Sequence, residues 1–134
     1  MSLALSQYRQ IALEVVTTTN VESVVISPGG LCCASTQGSL RHLLITVDAV
    51  PRWPEKEVEF YIPVHFLDLE KAAVSVHAYA SSAVDESLTR TVLPIPDIAV
   101  VGKPTGLHVS FVSSRLAGPH RISLSVYAPP AVQA

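Results

Sequence analysis

The stretch Glu57–Phe66, EVEFYIPVHF, decides the fold class, because its side chains change character at every step. Val58, Phe60, Ile62, Val64 and Phe66 are apolar, while Glu57, Glu59, Tyr61, Pro63 and His65 fall between them. Successive side chains of an extended strand point to opposite sides of a sheet, so this pattern predicts one face in a core and the other in water or on a partner. Proline cannot donate to a ladder, which places the strand at an edge or a bulge at Pro63. An exposed edge is also where copies of a chain can pair, so Tyr61 and Pro63 are candidate interface residues.

The same period of two recurs on either side. In Arg41–Ala49 the residues Leu43, Ile45, Val47 and Ala49 share a face. Ala72, Val74, Val76 and Ala78 do so next, with Ser75, His77 and Tyr79 opposite, followed by Leu107, Val109 and Phe111, then Ile122, Leu124 and Val126. Less regular strands are predicted over 11–18, 21–27, 88–93 and 98–101 from their Val, Ile and Thr content. Pro28-Gly29-Gly30, the 51–54 segment, Pro94 with Pro96, 102–106 and Gly118-Pro119 read as the turns between them. Ser82 followed by Asp85 has the spacing of a capping box and predicts a two-turn helix, and 66–71 a further single turn. The whole pattern predicts a mostly β chain: a single-domain antiparallel β-sandwich or partly open barrel over 1–134, with one or two short helices and a frayed tail at 129–134.

Composition narrows the function classes. Of 134 residues, 49% are hydrophobic and only 15% charged, with mean hydropathy +0.39. That is enough apolar surface for a core without disulfide or metal, and too little charge for a disordered tail. A surface poor in charge suits a protein covered by partners or by copies of itself. No apolar run approaches the length of a membrane-spanning helix. The N-terminus lacks the basic region of a signal peptide, so a soluble, intracellular protein is expected. Adjacent Cys32 and Cys33 make a strained bridge, and they are expected as small, reduced residues in a loop. The net charge of −2 is unevenly spread: from Ile98 onward there is no acid, while acids outnumber bases between Glu55 and Glu70. Such segregation lets the two regions attract each other between copies.

No nucleophile elbow, phosphate loop, dinucleotide fingerprint or paired-histidine metal motif occurs in the sequence. His65 and His77, with Asp68 or Glu70, are candidates for a metal or acid–base site, but spacing places no third ligand, and histidines on a wet sheet face are the simpler reading. No catalytic residue, metal, cofactor or small-molecule substrate is therefore expected. Trp53, between Pro51 and Pro54, is either an interface or lipid-contacting anchor or a ring folded over the end of the core. Lys103, Arg115 and Arg121, in the acid-free stretch beside His108, His120 and Tyr127, are the candidates for salt-sensitive contact with lipid, RNA or another anion.

The segment His42–Leu69, HLLITVDAVPRWPEKEVEFYIPVHFLDL, resembles the opening of a matrix-protein domain of non-segmented negative-strand RNA viruses. The later stretches AVSVHAYASSAVDESLT, TVLPIPDIAV and RISLSVYAPP resemble, in order, its following strand with a short helix, a proline-marked strand and the closing strand. The likeness runs from Arg41 to Pro130 and lies in pattern and order. Its length is that of the single-domain, bornavirus-like type. The resemblance implies a β-sandwich that forms homo-oligomers and layers beneath a viral envelope, meets anionic lipid, and attaches to the nucleocapsid or its RNA. Such a protein would lie at the inner face of a membrane or in a virion. The net charge departs from the basic character of such proteins. Two other readings stand beside it: a non-catalytic adaptor or binding sandwich in a larger cellular assembly, and a jelly-roll capsid protein. An enzyme using His65 and His77 is the remaining one.

Overall fold

The computed structural model describes residues 8–33, 38–52, 57–81, 92–95, 97–113 and 118–131. Along the chain these form β1 (Arg9–Ile11), β2 (Thr17–Thr19), β3 (Val21–Cys32), β4 (Arg41–Pro51) and β5 (Glu57–Pro63). After a 3-10 turn (Leu69–Lys71) come β6 (Ala73–Ser81), β7 (Val92–Pro94), β8 (Ala99–Lys103), β9 (Gly106–Val112) and β10 (His120–Ala128). One sheet has the order β1-β3-β4-β10-β6-β7 and the other β2-β5-β9-β8. Every pairing is antiparallel and neither sheet closes on itself, so the architecture is the open sandwich rather than the barrel.

The inner faces are those the alternation picks out, except that β5 ends at Pro63 and the chain turns away, so Phe66, expected in the core row, is exposed. Leu43, Ile45 and Val47 from β4 and Ile122, Leu124 and Val126 from β10 meet Val58, Phe60 and Ile62 from β5 and Leu107 and Val109 from β9 in one core. Each such side chain contributes about 1.5–3 kcal/mol on burial, which is what fixes the register of the central strands. The 3-10 turn closes one end of this core with buried Leu69 and Leu67. Gly102 lies against its backbone.

Several expectations change. The Pro28-Gly29-Gly30 turn is instead part of β3, which continues through it with a register shift between Ile26 and Gly30. Gly29 takes a φ of 97°, where glycine has no steric penalty, so the strand absorbs the irregularity as a bulge. The strand expected over 11–18 is two short ones in different sheets, with 12–16 passing between them. β5 is not an edge strand: it lies between β2 and β9. β2 covers only Glu59 to Tyr61, so Pro63 stands past its end and costs no ladder bond there. The tail expected to fray from 129 is held as far as Ala131 by backbone bonds, Pro129 O accepting from Asp68 N–H and Ala131 N–H donating to Phe66 O. Cys32 and Cys33, expected reduced, are joined as a vicinal disulfide, with their Cα atoms 3.1 Å apart across a cis peptide bond. The helix predicted from Ser82 lies outside the described residues; the turn expected over 66–71 is the 3-10 turn at Leu69–Lys71.

A candidate association surface

The outer face of the six-stranded sheet gathers the side chains that the core pattern leaves over. Across it one row in register reads Val25, Asp48, Arg121, Tyr79 and Pro94, one residue from each of β3, β4, β10, β6 and β7. Alternation sends these outward because their neighbours Val47, Ala49, Ile122 and Ala80 are committed to the core. Val25 is 56% exposed and Tyr79 48%. Between the apolar ends, Arg121 grips Asp48 through two bonds, Nε to Oδ1 at 2.9 Å and a terminal nitrogen to Oδ2 at 3.1 Å. This paired geometry holds the guanidinium protonated more firmly than usual, first through the hydrogen bond and then through the charge of Asp48. The row surrounds an open depression of about 390 Å³ whose other walls are Ser23, Val50, Ser81 and Pro119. Its far wall is fixed where Ser81 donates both N–H and hydroxyl to Pro119 O.

A second depression of about 390 Å³ lies further along the same face, over Leu31, Leu44, Thr46, His77, Ser123 and Ser125. At its end His42 Nε2 meets Ser125 Oγ at 2.6 Å and His42 Nδ1 meets Tyr8 Oη at 2.8 Å, while the ring stacks on Tyr127 at 4.2 Å. Partial burial holds the His42 ring below its ordinary 6.5, so it is neutral near pH 7 and bridges one donor and one acceptor. Tyr8 and Ser125 are 34 and 83 positions from His42 in the chain, and no local pattern in the sequence connects them.

The residues singled out in the sequence are not gathered at one place. Arg121 is on this face and paired; Lys103 is exposed on the outer face of the four-stranded sheet, pointing the opposite way; Arg115 lies outside the described residues, as does Trp53. Lys103 and Arg121 therefore do not form a common anion-binding patch. Tyr61 and Pro63 share the outer face of the four-stranded sheet, half-buried, where the Tyr61 hydroxyl bonds Thr105 Oγ1 and its ring lies over Gly106. His65 follows β5 in one sheet and His77 projects from β6 in the other. His108 Nε2, on the outer face of the four-stranded sheet, lies 3.9 Å from Glu59 Oε2. Among the described residues no helix is long and apolar enough to cross a membrane.

Comparison of the chain with protein-family models, with curated proteins and with solved structures finds no match.

Proposed function

We propose that this chain is a non-catalytic, self-associating structural protein whose copies meet through the outer face of the six-stranded sheet. The observation that carries the reading is the row Val25, Asp48, Arg121, Tyr79. It is apolar at both ends, neutral in the middle, and laid across four hydrogen-bonded strands. Two such rows brought together by a two-fold axis bury Val25 and Tyr79 against apolar neighbours. Each Arg121 is then free to share its bonds between its own Asp48 and the partner's carboxylate. A chain with so little surface charge meets little repulsion in such a contact.

A matrix-type layer suits this reading, since a layer needs more than one contact per copy, and the four-stranded sheet also exposes Val101 and Val112 on its far side. Contact with an anionic membrane or with nucleocapsid RNA draws less support. Arg121 is neutralised and Lys103 faces the other way, so any such contact rests on many copies acting together.

Light scattering after size exclusion, over a range of protein and salt concentrations, tests the proposal. The wild type is expected to grow with concentration, and Val25→Lys with Tyr79→Lys, which sets like charges against each other across the contact, to return it to monomer with an unchanged circular-dichroism spectrum. A wild type that stays monomeric at every concentration overturns the proposal and leaves the adaptor-module reading in front.

A further inference from the structure

Resting on the self-association proposed above, we infer that the N-terminal arm, residues 8–19, is an exchangeable strap. In the assembled state it swings out at Asn20 and fills the corresponding slot on a second copy.

The arm is the one part of the described chain that adds strands to both sheets and nothing to the buried core. β1 pairs with Arg9 to Ile11 against Cys32 to Gly30 of β3, and β2 pairs Thr17 to Thr19 against Tyr61 to Glu59 of β5. No residue from Tyr8 to Thr19 is buried, and Val16 is 66% exposed. Ile11, Leu13 and Val15 are partly buried and pack against the core from outside without entering it.

The slot beneath the arm is shaped by residues of the body. At Gly29 a Cβ would overlap the Ile11 carbonyl, and at Gly30 it would stand 2.8 Å from Leu13 Cδ1, so the absence of two side chains makes the seat. His42, itself bonded to Ser125, takes the Tyr8 hydroxyl at the far end. An arm that left would uncover two strand edges and an apolar rim, which are costly to leave in water. An identical arm from another copy restores each of those contacts, so exchange changes no contact in the slot.

Asn20 supplies the reason to open. It is the single residue between β2 in one sheet and β3 in the other, and it holds φ at 60°. That left-handed conformation is disfavoured for L residues, least so for asparagine. The reversal is fastened by Asn20 O accepting from Arg52 N–H at 2.8 Å and Asn20 Nδ2 donating to Glu57 O at 2.7 Å. Short hinges under conformational strain favour domain exchange, because an extended hinge releases the strain while every slot stays filled. A concentrated assembly supplies the second copy.

A disulfide trap tests this in the full chain. Gln10→Cys and Leu31→Cys face each other across β1 and β3, in a background carrying Cys32→Ala and Cys33→Ala. Oxidised samples are run on a non-reducing denaturing gel over a concentration series. Interchain bands are expected at high concentration. They should strengthen with Asn20→Val, whose branched side chain is penalised at positive φ, and be lost with Asn20→Gly, which has no such penalty. If Asn20→Val fails to fold, the comparison of wild type with Asn20→Gly stands alone. Only intrachain bonds at all concentrations, in a wild type that light scattering shows to be oligomeric, would overturn arm exchange and leave face-to-face association intact. Interchain bonds that survive Val25→Lys with Tyr79→Lys would support arm exchange even where the face contact fails.

Discussion

Gly102→Ala sets two effects of opposite sign against each other. In the interior of a strand glycine is worse than alanine by about 0.5–1 kcal/mol, because it loses more backbone freedom on folding. If β8 ran past open space, the substitution would therefore stabilise. It does not. A Cβ at Gly102 would overlap the carbonyl oxygen of Leu69 and stand 2.7 Å from its carbon, against an ordinary contact of 3.4 Å. The obstacle is backbone and cannot rotate away. Leu69 O already accepts the Ala72 N–H at 3.2 Å, and the Leu69 side chain is buried in the end of the core, so relieving the clash moves the whole 3-10 turn. Overpacking of this kind costs about 1–3 kcal/mol, and a weakened hydrogen bond about 1 kcal/mol more. Less the gain in strand propensity, the net is a loss of about 1–3.5 kcal/mol. Urea unfolding followed by circular dichroism reads this as a lower midpoint with an unchanged slope. A midpoint equal to or above wild type would refute the packing of β8 against the turn.

Three further outcomes follow from the same geometry. Leu124→Ala, in the middle of β10 and nearly fully buried, should cost about 2–5 kcal/mol. Its neighbour Ser123→Ala, on the outer face, should stay within about 0.5 kcal/mol of wild type; equal losses in urea melts would contradict the assignment of faces. His120 is fully buried, and desolvation lowers its pKa from 6.5 although Nδ1–H donates to Gly118 O at 3.0 Å. The neutral ring is the one the fold accepts, so its contribution is complete above pH 6.5 and is lost as pH falls below that through the folded value. A ring-proton NMR titration should show His120 with a midpoint under 6.5, and a midpoint at or above it would contradict the burial. Arg121→Ala removes an ion pair whose Arg side chain is mostly in water, so stability should fall by about 0.5 kcal/mol or less. The same substitution should change the concentration at which copies associate, measured by light scattering, and an unaltered association curve would separate the pair from the contact.

How much of this was legible in the sequence depends on whether the signal was local. In β4, β5, β9 and β10, period-two alternation named the inner face residue by residue, from Leu43, Ile45 and Val47 to Ile122, Leu124 and Val126. A strand with one apolar face has one way to bury it, and a slip of one residue would expose the whole row. At Pro28-Gly29-Gly30 the local signal misled. Those residues favour a turn in isolation, but β4 on one side and Ile11 on the other carry β3 through them as a bulge. Pro63 misled in a similar way: it marks the limit of the cover that β2 gives, and β5 itself is an inner strand.

The candidate surface was less legible than the core. The sequence pointed to Lys103, Arg115 and Arg121 as one group because they share an acid-free stretch, yet chain proximity says nothing about which sheet a strand joins. β8 and β10 belong to different sheets, and so Lys103 and Arg121 face opposite ways. Arg121 also meets Asp48, 73 positions away, a pairing set by the register of β10 on β4. Val25 and Tyr79 look like ordinary strand residues in the sequence, and they become a surface only when β3 and β6 are placed on either side of β4 and β10. The sequence by itself therefore determined that this chain is mostly β, a sandwich or a partly open barrel, and which side chains of the central strands enter its core, since hydrophobic period is local and burial dominates the energy. Only the tertiary structure decided strand order, the neutral row across the outer face and the strap that closes at Asn20, because these depend on contacts between residues that no local spacing relates.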